Sequence, residues 1–167
     1  MNIRELRDAL SAVVGGAAVP TELPADDMYP FTFVSRTFVP PFMDALVRVE
    51  VCDADPDGST RARLVALAGL AERVFTDGDE QTVDPLAVRL VFDRLVRRPR
   101  LLEAAWPHLG PQTRAIAGKF LTLQEGCRQR EEAATAGLAA PTEPGPVPGP
   151  MPGLVHSTDG PAGAPCP

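Results

Sequence analysis

The stretch CDADPDGSTR, residues 52–61, comes closer to a metal-binding pattern than any other part of the sequence. Its acidic residues alternate along the chain: Asp53, Asp55 and Asp57. With Gly58 at the sixth position they match the first half of a calcium-binding EF-hand loop, in which oxygen ligands at positions one, three and five precede a glycine turn. The twelfth position, which should supply a bidentate Glu, is Leu64. The loop therefore lacks the bidentate carboxylate that would complete the coordination of a calcium ion. A degenerate EF-hand-like calcium binder is kept as an alternative function of the protein.

The same stretch is also typical of a turn that leads into a helix. Asp, Pro and Gly are the residues that turns prefer, and carboxylates interact favourably with the positive end of a helix dipole. Arg61 and Arg63 would place positive charge beside a bound cation. We therefore predict a helix-capping turn here and no metal site.

A second group with possible chemistry is a run of arginines between residues 89 and 100. At helical spacing Arg89, Asp93 and Arg97 succeed one another one turn apart, so Asp93 can pair with its neighbours. The unpaired charges could contact an acidic protein partner. No aromatic, Asn or Gln residues are interleaved to read bases, so we predict no nucleic-acid binding. The predicted partner-binding residues are Arg94, Arg97, Arg98 and Arg100.

Residues suited to catalysis are few. His108 is the one histidine of the predicted folded region, and no second metal ligand follows it at a useful spacing. Cys127 lies on the apolar stripe of the last predicted helix, which favours a core position. A Gly-Lys pair in GPQTRAIAGKF lacks the other residues of a phosphate loop. We predict no catalytic residues and no cofactor. An enzyme with an acidic cleft stays an alternative, formed from Glu72, Asp79, Glu80 and Asp93.

Composition and charge exclude further classes of partner and location. The net charge is −6, while residues 60–130 carry twelve positive and eight negative side chains. The overall field disfavours nucleic acid, and no segment is long enough to span a bilayer, so we predict no membrane association. Three cysteines without close pairs favour a reducing, cytoplasmic location. Residues 9–20 are apolar and small, like the core and cleavage region of a signal peptide, but the residues before them lack the net positive charge that a signal peptide requires.

The elements that must position these residues are predicted to be helices. Apolar residues recur at three- and four-residue intervals, and aromatic residues make up only 5% of the chain, which favours helix packing over sheets. The fold class is therefore all-α, an irregular antiparallel bundle of five to six helices, with stacked helical hairpins as the second choice. The predicted buried residues include Phe42, Leu46 and Val49; Leu64, Leu67, Ala71 and Val74; Val88, Val91, Phe92 and Leu95; and Ile116, Phe120, Leu123 and Cys127.

Two segments are predicted to be non-helical. Residues 17–40 contain four prolines and are followed by a fifth, Pro41, so we expect an extended Pro-rich arm anchored by Phe31, Phe33 and Phe38. The C-terminal end is rich in Pro and Gly and poor in large apolar residues, which predicts a disordered tail. The predicted organisation is a helical domain over residues 1–136 and a tail over residues 137–167.

The run LVALAGLAERVFTDGDEQTVDPLAVRLVFDRLVRRPRLLEAAWPHLGPQTRA, residues 64–115, resembles small all-helical bacterial proteins of unknown function. In these a helix leads through an acidic turn to a second helix and then to an LGP-x-T element, which is here Leu109, Gly110, Pro111 and Thr113. Some such proteins are suspected immunity or toxin-neutralising partners. The resemblance implies a protein-binding role and transfers no site. The predicted function is a small protein-interaction module of the immunity type. The sequence favours a binding protein over an enzyme.

Overall fold

The computed structural model describes residues 1–16, 19, 29–52, 54–55 and 57–138. Within these ranges the chain forms six helices and no strand, which confirms the predicted all-α fold, an irregular antiparallel bundle. The predicted tail lies outside the described residues, apart from the end of the last helix. The helices are α1 (Ile3–Val14), α2 (residues 29–51), α3 (Ser59–Asp77), α4 (residues 80–96), α5 (Pro99–Ala105) with a 3₁₀ turn (Trp106–His108), and α6 (Pro111–Leu138).

Helix α1 follows its sequence signals closely. The Asn2 side chain accepts hydrogen bonds from the backbone N–H groups of Arg4 and Glu5, and the Glu5 carboxylate accepts one from the Asn2 N–H, which completes a capping box. Gly15 ends the helix with a φ of 91°, a conformation that favours glycine. The apolar stripe Ile3, Leu6, Leu10 and Val13 predicts this helix and the glycine pair at 15 and 16 predicts its end, and both predictions are confirmed.

Helix α3 lies at the centre of the bundle and contacts α1, α2 and α6. Its predicted inward face is confirmed, because Leu64, Leu67, Ala71 and Val74 are all buried. Gly78 ends it. A side chain at that position would place its Cβ 2.3 Å from the Val74 carbonyl oxygen, so the close return of the chain requires glycine.

The prediction of an extended arm is wrong for residues 29–40, which form the first half of α2; residues 17–18 and 20–28 lie outside the described residues. Pro30 occupies the first helical turn, where a missing N–H costs nothing. The next segment, Val34–Phe38, is a π-helix in which the N–H of Val39 donates to the carbonyl of Val34, and this wide turn precedes the interior prolines Pro40 and Pro41.

The burial of aromatic rings on α2 explains why the helix persists. Phe33, Phe38 and Phe42 are at most 2% exposed. Each ring contributes roughly 1.5–3 kcal/mol of hydrophobic stabilisation, which offsets a cost of about 3 kcal/mol for an interior proline. The Phe33 and Phe38 anchors are confirmed as buried, although on a helix, and Phe31 is only half-buried.

Asp84 as a cap and Pro85 as a first-turn residue predict that the next helix starts near Asp84, but helix α4 begins four residues earlier, at Glu80. Asp79 precedes it, and its carboxylate accepts a hydrogen bond from the Thr82 hydroxyl at 2.6 Å. From Ala87 to Val96 the helix has π winding, so residues five apart share a face. The buried face consequently differs from the predicted one: it includes Leu86, Leu90, Val91, Leu95 and Val96, while Val88 and Phe92 are half-buried.

Helix α6 packs on the body through its first ten residues only. Ala117 is fully buried, and the ring of Phe120 lies 5.0 Å from that of Phe92. Beyond this point the prediction is wrong: Leu123 is 61% exposed and Cys127 is exposed. The apolar stripe correctly indicated a helix, but no other described helix reaches far enough to cover its second half.

Candidate functional site

A cleft of about 360 Å³ opens between α2 and α4, and we call it the arginine cleft. Three of its side chains are guanidinium groups, one is a carboxylate and one is a hydroxyl. The residues that line it are Ser35, Val39, Arg89, Asp93, Arg94 and Arg97. Because α2 supplies only Ser35 and Val39, the charge of the cleft comes entirely from α4.

The π winding of α4 gathers these charges on one side. In a helix whose hydrogen bonds run from residue i to i+5, Arg89 and Arg94 lie on the same side, roughly 50° apart around the axis, whereas at 3.6 residues per turn they would be roughly 140° apart. The same winding places the buried residues Leu86, Val91 and Val96 on the opposite side. Unusual backbone geometry therefore produces a charged wall and an apolar wall on a single helix.

Arg89 is the most constrained member of the arginine cleft. Its Nη1 donates to an oxygen of Asp93 at 3.1 Å, which confirms the predicted pairing of these two residues. Its guanidinium carbon lies 5.7 Å from the centre of the Phe31 ring, within cation–π range. Its Nε is buried and has no hydrogen-bond partner among the described residues. Arg89 thus combines a fixed position with a charge that Asp93 already compensates.

The other two arginines of the cleft have no acidic partner in the described part of the chain. Arg97 stacks over the ring of Phe92 at 5.2 Å, so the predicted bridge from Asp93 to Arg97 does not form. Arg94 is exposed and makes no ion pair with any described residue. Arg94 and Arg97 consequently supply two uncompensated positive charges at the mouth of a polar cleft.

The four predicted partner-binding arginines divide into two pairs. Arg94 and Arg97 line the cleft, whereas Arg98 and Arg100 do not. Arg98 precedes the first residue of α5 and Arg100 lies in its first turn, and both are exposed. The pairs are close in sequence and carry equal charge, so each is a natural control for the other.

The acidic turn before α3 is engaged in helix capping. The Asp55 carboxylate accepts hydrogen bonds from the backbone N–H groups of Thr60 and Arg61, both at 2.9 Å. Asp57 accepts from the hydroxyl and the N–H of Ser59, and these bonds lower the pKa of Asp57. Asp53 lies outside the described residues. The structure therefore favours the capping interpretation of this turn, because its described carboxylates already bind the start of α3.

His108 meets one carboxylate rather than several. Its Nε2 lies 2.9 Å from an oxygen of Glu50, and the same oxygen lies 3.7 Å from Nη1 of Arg61. Three of the four carboxylates named as a possible acidic cleft have partners elsewhere: Asp93 pairs with Arg89, Asp79 binds Thr82 and Glu72 binds α6. Across the described ranges no three His, Cys, Asp or Glu side chains are grouped to hold a metal ion.

Glu72 forms a contact that sequence reasoning missed. Its carboxylate accepts hydrogen bonds from the N–H of Gln112 at 2.7 Å and from the N–H and hydroxyl of Thr113 at 3.0 and 2.8 Å. Burial alone would raise the pKa of Glu72, but these hydrogen bonds, with the nearby charge of Arg114, outweigh it and lower the pKa. We call this contact the Glu72 cap.

The Glu72 cap explains the LGP-x-T element in physical terms. A Cβ at Gly110 would lie 2.3 Å from the Glu72 carboxyl carbon, so only glycine lets the carboxylate approach. Pro111 starts α6 at a position where its missing N–H is harmless, and Thr113 supplies two donors. The element therefore holds α3 and α6 together and is not itself a binding site.

No protein-family model matches the sequence, and no characterised protein or solved structure is significantly similar to it. The resemblance of residues 64–115 to helical bacterial proteins stays a prediction. None of the helices in the described part of the chain is long and apolar enough to cross a membrane.

Proposed function

We propose that this protein is a small protein-interaction module that binds an acidic partner through the arginines of α4 and α5. The supporting observation is the arginine cleft, where Arg94 and Arg97 carry charge without an acidic partner in the described residues. Arg98 and Arg100 extend the same positive surface. Arginine suits this role because its planar fork forms paired hydrogen bonds with carboxylates and other oxyanions.

Other arginines of the described residues differ from those of the cleft. Arg48, Arg61 and Arg128 each form an ion pair with an acidic residue of the same chain. Arg63 and Arg73 are exposed and form none, but they do not line the cleft. Exposed charges without ion pairs cost little to stability and are available to steer and orient a partner. Because the two unpaired arginines of the cleft lie together in one concave site, we favour this face as the contact surface.

The specific role that we propose is of the immunity type, in the cytoplasm. Its support is the resemblance of residues 64–115, together with two exposed free thiols, Cys52 and Cys127, that suit a reducing compartment. A gene for a toxin beside the gene for this protein would supply the partner. Co-expression should then restore growth with the unchanged chain and fail to do so with Arg94→Ala/Arg97→Ala; equal protection by both would contradict the role of these arginines.

The interaction itself is tested by capture from the native host. The full chain should retain one stoichiometric partner, and both Arg94→Ala/Arg97→Ala and Arg98→Ala/Arg100→Ala should reduce its recovery. A matched control is Arg63→Ala/Arg73→Ala, which removes two exposed positive charges from α3. Recovery of no stoichiometric partner, or the same loss with all three variants, would reject the proposal.

A further inference from the structure

We propose that the arginine cleft receives a phosphate monoester, in its doubly charged form, rather than a carboxylate. The inference rests on the proposed function, since it names the chemical group that the cleft would accept from a partner. The phosphate could belong to a phosphorylated side chain or to a free small molecule, and the two sources share the chemistry that the cleft recognises.

The charge of the cleft is the first argument. Three guanidinium groups and one carboxylate line it, and Asp93 compensates Arg89 at 3.1 Å. Two positive charges remain, on Arg94 and Arg97. A carboxylate would neutralise one of them, whereas a phosphate monoester carries about −1.5 to −2 charges at neutral pH and neutralises both.

The hydrogen-bond donors are the second argument. Arg94 and Arg97 each offer a fork of N–H groups, and Ser35 contributes a hydroxyl from the opposite wall. A phosphate monoester has three terminal oxygens, so each of the three side chains can serve a different one. A carboxylate has two oxygens in one plane and would leave donors on one wall without an acceptor.

The size of the cleft and the position of Asp93 are the third argument. A volume of about 360 Å³ falls in the range of sites for small organic ligands, so the cleft has room for a phosphate together with part of the molecule that carries it. Because Asp93 repels an anion beside Arg89, the phosphate lies between Arg94, Arg97 and Ser35. Val39 then borders the carbon attached to the ester oxygen, for which an apolar contact is suitable.

The test uses the full chain and three probes at constant ionic strength: phenyl phosphate, a capped phosphoserine peptide and the same peptide with glutamate. Binding is followed by the NMR signals of the arginine Nε–H groups. Phenyl phosphate should shift the signals of the cleft arginines in a saturable manner. The phosphopeptide should bind at least tenfold more tightly than the glutamate peptide, and equal affinity of the two peptides would overturn the inference.

Variants locate the binding. Arg94→Ala/Arg97→Ala should weaken phenyl phosphate at least tenfold, while Arg98→Ala/Arg100→Ala should change it less than twofold. Arg94→Lys/Arg97→Lys keeps the charge but loses the fork, and it should give an intermediate loss; this variant covers the case in which the alanine variant folds poorly. Equal losses for the two alanine variants would show general charge attraction and reject the site.

The pH dependence separates the dianion from other anions. The second pKa of a phosphate monoester is about 6, so its affinity should fall about tenfold between pH 7.5 and pH 5. Sulfate stays doubly charged over this interval and should bind equally at both values. The cleft contains arginines, Asp93 and Ser35 but no histidine, so the decrease would report the ligand. Equal affinity of phenyl phosphate at both values would contradict a dianion.

The two sources of phosphate give different results. If a partner supplies it, the phosphopeptide should bind more tightly than phenyl phosphate and should lose affinity with Arg98→Ala/Arg100→Ala. If a free monoester is the ligand, the two probes should bind alike. Phosphate binding without any captured partner would overturn the proposed function alone. A partner that depends on Arg94 and Arg97, without phosphate binding, would overturn this inference alone.

Discussion

The Glu72 cap and the arginine cleft differ in whether their charged groups have partners within the protein. At the cap a single carboxylate accepts three hydrogen bonds from residues about forty positions away, and its charge is fully used within the fold. In the cleft two guanidinium groups have no acidic partner among the described residues. A charge that the protein pairs internally holds helices together, whereas a charge left unpaired in a cleft is available to a ligand.

The largest change in stability is expected at Gly110. Gly110→Ala should lower the free energy of unfolding by about 2 kcal/mol, because the new methyl group would push the Glu72 side chain out of the cap and leave its carboxylate, as well as its three donors, without their hydrogen bonds. Gly69→Ala is the matched control: Gly69 lies on α3 with open space around it, so alanine should stabilise that helix by about 0.5–1 kcal/mol. Urea denaturation of both variants measures the difference. Similar values for the two variants would mean that the close approach is unimportant.

Removing the carboxylate itself should have a somewhat smaller effect. Glu72→Ala leaves two N–H groups and a hydroxyl at the start of α6 without their partner, and water can replace part of what is lost, so about 1–2 kcal/mol is expected. A double-mutant cycle with Thr113→Val isolates the shared contact. Strict additivity of the two substitutions would show that the hydrogen bonds contribute nothing to the coupling of α3 and α6.

The contribution of the Glu72 cap should also depend on pH. The folded state lowers the pKa of Glu72 below its ordinary value of 4.5, so its stabilisation is present above pH 4.5 and is lost as the pH falls through the lower, folded value. The stability difference between the unchanged chain and Glu72→Gln should therefore shrink between pH 6 and pH 3. A difference that grows on acidification would contradict the sign of the shift.

Asp55, in the acidic turn before α3, also accepts hydrogen bonds from a helix start, and its removal should lower the free energy of unfolding by less than removal of Glu72. Asp55→Ala removes the acceptor for two N–H groups of α3 and should cost about 1 kcal/mol, as loss of a helix cap usually does. Because its carboxylate already serves the helix, millimolar calcium should leave the melting temperature unchanged. A rise with calcium that Asp55→Ala abolishes would revive the calcium-binding alternative.

The smallest effect on stability is expected in the arginine cleft. Arg94→Ala/Arg97→Ala removes exposed charges that pair with no acid in the described residues, so the free energy of unfolding should fall by only about 0.5 kcal/mol, mostly because Arg97 no longer stacks over Phe92. Thermal denaturation should confirm this, while phosphate binding falls. A large loss of stability would instead assign these arginines to the fold.

Local signals predicted much of this fold from the sequence. The buried face of α3 follows a regular 3.6-residue period and a glycine pair follows the apolar stripe of α1, so this face and the end of α1 were predicted correctly, whereas the capping box at Asn2 was not foreseen. The first half of α2, residues 29–40, was missed because prolines argue against a helix and only the tertiary burial of Phe38 and Phe42 outweighs them, whereas its second half was predicted as a helix from about Pro41 to Cys52. The Glu72 cap was missed because no local pattern connects residues separated by forty positions.

The candidate site was predicted in part. Arg94 and Arg97 were identified from their charge, but Ser35 and the role of Arg89 were not. The reason is the winding of α4, since a 3.6-residue period places Arg89 and Arg94 on different sides of the helix, and only i→i+5 hydrogen bonding aligns them. The position of Ser35 depends on how α2 packs against α4, which periodicity along a single helix does not reveal.

The π winding of α4 also sets how easily the cleft could be gained or lost in evolution. A wide turn accommodates one residue more than a regular turn does, so the loss of one codon before Arg89, that of Ala87 or Val88, would let the helix relax towards ordinary pitch. Arg89 and Arg94 would stay five positions apart and would then lie on different sides of the helix. A single in-frame deletion would therefore take apart the charged wall of the cleft while every charged side chain is kept.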